Sequence, residues 1–184
     1  MAQNIAVIGT GYVGLVVAVG LADFGNTLVG VDIDDGKVAK LNAGISTIYE
    51  QGIQEYLKGN IKAGRLSFTT GIDRAIQKSG AVFISVGTPQ TVEGSAGLSQ
   101  VESVLEAIAR NLNRYKAKST VSIGTNRRIK EELTKKAGDK NFDVVSNPEF
   151  LREGRAIQDF FHPDRVVIGY ESKKARKIME EIYR

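Results

Sequence analysis

A short apolar run at residues 5–8 leads directly into Gly9-Thr10-Gly11-Tyr12-Val13-Gly14, and a second apolar run follows over 15–21. Few local patterns restrict a backbone as tightly. The first run has the length and composition of a strand buried on both faces, and the run after the glycines reads as a helix. Each glycine between them meets a separate demand. Gly9 permits a sharp turn out of the strand. Gly11 leaves the backbone bare for close approach of a pyrophosphate, and Gly14 lets the helix lie against the strand. The start of that helix then offers free N–H groups and the positive end of its dipole to an anion.

Glycine-rich βα turns also occur without any ligand, so the surroundings decide. A second strand is expected over 27–31, and Asp32 closes it, 18 residues after Gly14. That is close to the ~20-residue spacing at which a carboxylate meets the ribose of a bound dinucleotide. A carboxylate there accepts both ribose hydroxyls and repels a 2′-phosphate, so the expected cofactor is NAD rather than NADP.

Strand and helix signals alternate through the rest of the chain. Helices are expected over 35–42, 53–63, from Asp73 to near Gly80, over 99–113, up to Ala137, and over 150–160 and 173–183. Strands are expected over 66–69, 81–86, 120–123, 142–146 and 165–170. Gly44 ends the helix over 35–42, a loop covers 45–52, and Ser99 with Glu102 has capping-box spacing. Repeated βα units with near-continuous apolar strands predict an α/β fold. It is Rossmann-like and doubly wound, a mainly parallel sheet with helices on both faces, and residues 1–184 form one such domain. Ligands of these sheets bind beyond the carboxyl ends of the strands. The glycine turn, Asp32, Thr88, Thr125 and Asn147-Pro148-Glu149 all follow expected strands at those ends.

Composition excludes several chemistries. These 184 residues contain no cysteine, hence no disulfide, no Cys-based zinc site and no Cys nucleophile. His162 is the single histidine, so a multi-His metal site is excluded and no metal is expected. The apolar share of 42% and charged share of 25% are those of an ordinary globular protein. No apolar run reaches the ~18 residues of a membrane span, and the N-terminus has no signal-peptide layout, so a cytoplasmic location and no membrane partner are expected. The net charge of +4 is concentrated at Arg127, Arg128, Lys130, Lys135 and Lys136, and at Lys173, Lys174, Arg176 and Lys177. Both groups fall on expected helices that also carry glutamates and lack interleaved aromatics. Solvated helix faces are the reading, with no nucleic-acid partner.

A second motif, Ser146-Asn-Pro-Glu-Phe-Leu-Arg-Glu-Gly154, lies near the C-terminal end. Pro148 stops the preceding strand. Glu149 and Glu153 are four apart, so on a helix they would share one face. Two carboxylates there could supply a base and a ligand for ribose or sugar. The same spacing also fits a helix N-terminus stabilised by Glu149, with Arg152 and Glu153 on the surface.

Taken together, GTGYVGL (9–15), VDIDDGKVAKLNAG (31–44), IYEQG (48–52), VGTPQTVEGSAGLSQV (86–101), KSTVSIGT (118–125) and SNPEFLREGRAIQDFFHPDRVVIG (146–169) cover nearly the whole chain. In these blocks and their order the chain resembles the N-terminal NAD-binding domain of the UDP-glucose/GDP-mannose dehydrogenases. The likeness is greatest to the UDP-glucose 6-dehydrogenases, with GDP-mannose 6-dehydrogenase as the near alternative.

The resemblance implies a two-fold oxidation of a sugar C6 alcohol, through a thioester on a cysteine, to the carboxylate of UDP-glucuronate, with two NAD reduced. By matching position it implies that Gly9, Gly11, Tyr12, Val13 and Gly14 form the cofactor turn. Asp32 and Lys37 would hold the adenosine ribose, and Thr88 would line the cofactor site. Thr120 would serve both cofactor and the hydrolytic water, and Glu149 would act in acid–base chemistry. Phe150, Leu151, Arg152 and Glu153, with Glu149, would contact the sugar nucleotide, and Glu153 would also approach the nicotinamide.

The family's central helix and UDP-binding domain, which carry the catalytic lysine, asparagine and cysteine, have no counterpart among these residues. The expectation is therefore that this chain is the NAD-binding part and does not turn over alone; a non-catalytic NAD-binding fragment is the alternative. A homodimer is implied for the full-length family. Thr47, Gln51 and Ser122 stand where the family usually has prolines, and Gly97 where it has an aspartate.

Overall fold

In this computed structural model the described backbone covers residues 2–87, 99–115, 120–122, 126–138 and 142–184; the side chains of 113–115, 120–122 and 126–128 are outside the description. The elements are β1 (Asn4–Ile8), α1 (Tyr12–Asp23), β2 (Thr27–Val31), α2 (Asp35–Asn42), α3 (Ile53–Lys62), β3 (Leu66–Thr69) and α4 (Ile72–Gln77). They continue as β4 (Ala81–Ile84), α5 (Ser99–Tyr115), β5 (Thr120–Ser122), α6 (Asn126–Ala137), β6 (Asp143–Val145), α7 (Ala156–Phe161) and α8 (Lys173–Ile182).

The six strands form one sheet in the order β3-β2-β1-β4-β5-β6, and every pair is parallel. β1 is flanked by β2 and β4, with Ile5 in register with Leu28 on one side and Ala81 on the other. The chain winds outward from β1 through β2 to β3, then returns to the middle and winds the other way from β4 to β6. The strand order therefore reverses between β1 and β4, which opens a crevice at their carboxyl ends.

The period-2 alternation of β1 explains the two cores. Ile5 and Val7 face one side, where they join Leu15, Leu28, Leu57, Phe83, Phe160 and Met179. Ala6 and Ile8 face the other, with Val82, Leu105, Ile108, Leu133 and Val144. Both faces of the strand are buried, so its sequence is apolar throughout rather than alternating. α1 is buried along most of its length, since it packs on the sheet and also against α3 and α7. Gly20 makes the α7 contact possible, because a Cβ there would lie 2.2 Å from the Phe160 ring.

Three expectations need correction. The helix expected over 150–160 is confined to Ala156–Phe161. Upstream of it the Glu149 carboxylate accepts the Leu151 amide at 2.6 Å, and Gly154 adopts φ +84°, which no helix accommodates. Glu149 and Glu153 therefore do not share a helix face. The strand expected over 165–170 is reduced to one antiparallel bridge, Ser146 with Gly169, and Val166 and Val167 stay exposed. β4 ends at Ile84, although the Ser85 amide still donates to the Ile8 carbonyl at 2.8 Å. Ser99 is itself the first residue of α5, so the position before it, where a cap would sit, is outside the described residues.

Candidate functional site

The glycine turn crosses the crevice between β1 and α1. Gly9 has φ +93°, and a Cβ on it would meet the Ser85 carbonyl at 2.6 Å. A Cβ on Gly14 would lie 1.9 Å from the Gly9 carbonyl oxygen. These two glycines are demanded by the packing of the turn itself. Gly11 differs: among the described residues a Cβ there meets nothing within 4 Å, so its bare face is open on that side. α1 begins here with no side-chain cap and no acidic residue in its first turn. Its leading N–H groups are thus left for an external anion.

At the end of β2, the Asp32 carboxylate is fixed from several directions. Its Oδ2 accepts the Thr10 amide at 3.1 Å, the Thr10 hydroxyl at 2.7 Å and the Lys37 ammonium at 2.8 Å. Among the described residues its Oδ1 accepts only the Asp34 amide, at 3.3 Å, and so retains capacity on its outer edge. Lys37 reaches Asp32 because Asp34 caps α2, its Oδ1 accepting the Lys37 amide at 3.0 Å. Burial by itself would raise the Asp32 pKa, but the bonds from Lys37 and Thr10 outweigh it and hold the group at about 2.

A folded-state pKa below the ordinary 3.8 makes this carboxylate a stabiliser that is fully present above pH ~4. The contribution is lost as pH falls from there towards 2. In thermal unfolding scans, the stability gap between the natural chain and Asp32→Asn is expected to shrink over that window. A gap that stays constant down to pH 2 would contradict the assignment.

A cavity of about 830 Å³ lies beside the turn, at the carboxyl ends of β4 and β6. Val13, Phe83 and Ser85 form one wall, and Glu149, Phe150, Leu151 and Arg152 form another. This volume falls in the usual range for small-molecule sites, roughly 300–1,000 Å³. The loop after β6 is built to hold its shape. The Asn147 amide group donates to the Val167 carbonyl at 3.0 Å, and its Oδ1 accepts the Tyr183 hydroxyl at 2.5 Å. Arg152 gives Asp159 three bonds, from its amide at 3.1 Å, Nε at 2.9 Å and Nη2 at 2.7 Å. The Arg152 guanidinium, by hydrogen bond first, lowers the Asp159 pKa to about 2.

The structure thus brings Gly9, Gly11, Gly14, Val13, Asp32, Lys37 and the 149–152 segment to one end of the sheet. Glu153 is exposed and lies outside the cavity lining, close enough to Tyr12 to help raise its pKa. Thr88 and Thr125 lie outside the described residues. Thr120 is described only as backbone, in β5 opposite Ala81. Among the described residues no cluster of His, Cys, Asp and Glu could hold a metal, and no helix is long and apolar enough to cross a membrane. Three features had no assigned role in the sequence reading. Glu50 contacts Tyr12 and the Gly154 amide, Asp159 anchors Arg152, and Tyr183 anchors Asn147. Only Asp159, seven residues from Arg152, was within reach of a local pattern.

The sheet order, the open face of Gly11 and the placement of Asp32 fit a dinucleotide across the β1–β4 crevice. Comparison with known proteins agrees. Residues 3–184 match the family model described as the UDP-glucose/GDP-mannose dehydrogenase family, NAD binding domain. An uncharacterized protein of Methanocaldococcus jannaschii is 50% identical over 190 residues, covering 99% of this chain and 21% of that protein. UDP-glucose 6-dehydrogenase YwqF of Bacillus subtilis is 43% identical over 186 residues, covering 99% of this chain and 42% of the enzyme. The structure of a UDP-glucose dehydrogenase from Pyrobaculum islandicum superposes with a TM-score of 0.93 at 39% identity, covering all of this chain and 44% of that one. The chain thus spans less than half the length of these relatives. With fold, turn and sequence in agreement, it belongs to the UDP-glucose/GDP-mannose dehydrogenase family, of which it corresponds to the NAD-binding domain.

Proposed function

We propose that residues 1–184 bind NAD as one unit and form the cofactor half of a nucleotide-sugar 6-dehydrogenase acting on UDP-glucose. GDP-mannose is the alternative substrate, since the family's description carries both sugars. The observation that carries the reading is the meeting of the glycine turn, Asp32 and the 149–152 wall around one crevice.

In this reading the pyrophosphate lies over Gly11 and the first N–H groups of α1. The adenosine ribose meets the free edge of Asp32, with Lys37 beside it. Bound NAD supplies a hydride acceptor. The chain's own residues orient the partners and handle protons. Oxidising an alcohol also releases a proton, and Glu149, exposed at the cavity wall, is suited to take it or to activate water. Thr120 is assigned to the water and the cofactor, Glu153 to the nicotinamide side, and Phe150, Leu151 and Arg152 to the sugar nucleotide. Support for these roles comes from matching positions in the family motifs and, for 149–152, from the cavity wall.

Thioester chemistry needs a thiol, and no cysteine occurs in these 184 residues. The thioester nucleophile is therefore not among these residues, and the chain alone is expected not to carry UDP-glucose through to UDP-glucuronate. Homodimerisation is carried over from the family on the same terms, and a cytoplasmic location rests on the composition of the chain.

Calorimetric titration of the chain with NAD and NADP tests the reading directly. NAD is expected to bind at least about tenfold more tightly, and Asp32→Asn to close most of that gap, a difference of ~1.4 kcal/mol. Absence of binding by either dinucleotide, or a preference for NADP, would overturn it.

A further inference from the structure

Glu50 lies in the 45–52 segment, which has no part in the roles above. It is only 5% exposed, the most buried acidic side chain among the described residues. Its Oε2 accepts the Tyr12 hydroxyl and, at 3.0 Å, the Gly154 amide. The same amide also lies 3.0 Å from the Tyr12 hydroxyl oxygen. Three segments far apart in sequence therefore meet on one carboxylate: the glycine turn, the 45–52 loop and the end of the loop after β6. Burial, and then the bond to Glu50, push the Tyr12 hydroxyl up to about 12.

The other oxygen of Glu50 has no such arrangement. Oε1 is buried and makes no hydrogen bond with any described residue. A half-satisfied buried carboxylate is a poor stabiliser, and an apolar side chain of similar volume would serve the fold at lower cost. The residue type therefore needs a reason other than stability. The topology suggests one. A dinucleotide with its adenosine at Asp32, beyond β2, extends across the crevice towards β4 and the loop after β6. Tyr12 sits in the turn beneath its middle, and the Gly154 amide closes the loop at its far end.

We propose that Glu50 is a positioning residue. Through Tyr12 and the Gly154 amide it locks the 149–154 loop against the glycine turn, so that binding of the nicotinamide end depends on a carboxylate that does not touch it. This rests on the reading that the chain binds NAD.

ADP-ribose and NAD separate the two halves of the site, because ADP-ribose occupies the turn but lacks the nicotinamide. In Glu50→Ala, NAD affinity is expected to fall about tenfold while ADP-ribose stays within about twofold of the natural chain. Glu50→Gln keeps an acceptor for Tyr12 and Gly154 and should recover most of the loss. If Glu50→Ala does not fold, Glu50→Leu fills the same space and carries the comparison. Amide exchange of the ligand-free chain reads the lock itself, with residues 151–155 expected to exchange about ten times faster in the variant and the sheet unchanged. Equal losses for the two ligands, or none, would overturn the coupling. Unchanged exchange at 151–155 would overturn the lock, whether or not NAD binds. Failure of the natural chain to bind NAD would sink the functional reading, and the exchange result would still decide the lock.

Discussion

Replacing Gly14 with alanine is expected to remove NAD binding and to lower stability together. The added Cβ would sit 1.9 Å from the Gly9 carbonyl oxygen, and that neighbour is backbone, so no rotamer relieves the clash. Either α1 moves away from β1 or the turn opens. Movement of α1 strains a helix whose residues from Gly14 to Ala22 are all buried. Overpacking of this kind costs roughly 1–3 kcal/mol and occasionally more. Opening the turn displaces the N–H groups proposed to face the pyrophosphate, and an affinity loss of about 100-fold, ~2.7 kcal/mol, is expected. Calorimetric titration and thermal unfolding of the same preparation measure both. Normal affinity with a normal unfolding midpoint would show that the turn does not have this geometry.

The neighbouring residue should behave differently. Leu15 is fully buried, and it faces the core rather than the crevice. Leu15→Ala deletes its contacts and leaves a cavity, at an expected cost of about 2–5 kcal/mol. For a chain of this size each kcal/mol lowers the midpoint by about 2–4 °C, so a fall near 10 °C is expected. The folded fraction should still bind NAD, measured well below the midpoint, with affinity within a few-fold of the natural chain. A loss below ~1 kcal/mol would mean that the site collapses around the smaller side chain, contrary to the close packing seen. Adjacent positions would thus separate binding from stability, because the helix turns one towards the strand end and the other into the core.

How far the sequence could be read depended on the distance over which the deciding contacts act. β2 and α2 appear with the bounds expected from the sequence, since the apolar run and Gly44 are local signals. The glycine turn is equally local, and the structure gives Gly9 and Gly14 the turning and packing tasks their spacing predicts. The region after β6 was misread because its shape depends on side-chain bonds. Glu149 turns back on the Leu151 amide, Arg152 is held by Asp159, and among the described residues Val166 and Val167 find no strand partner beyond the bridge at Gly169. A helical period in residues 150–160 is real, but these contacts delay the helix until Ala156. The Glu50 contact has no local trace at all, since it joins residues 104 positions apart.

Gly11 stands apart from the other two glycines of the turn. Its φ of −67° suits any residue, and no described residue lies within 4 Å of the place where a side chain would begin. The fold has no use for glycine there, and alanine would even reduce the freedom of the unfolded chain. One hexapeptide therefore answers to two separate selective pressures. A lineage that ceased to use its dinucleotide would still need Gly9 and Gly14 to fold, while position 11 would be free to drift. If Gly11 faces the pyrophosphate as proposed, the residue kept at that one position records whether a descendant of this domain still holds a cofactor, independently of how well it folds.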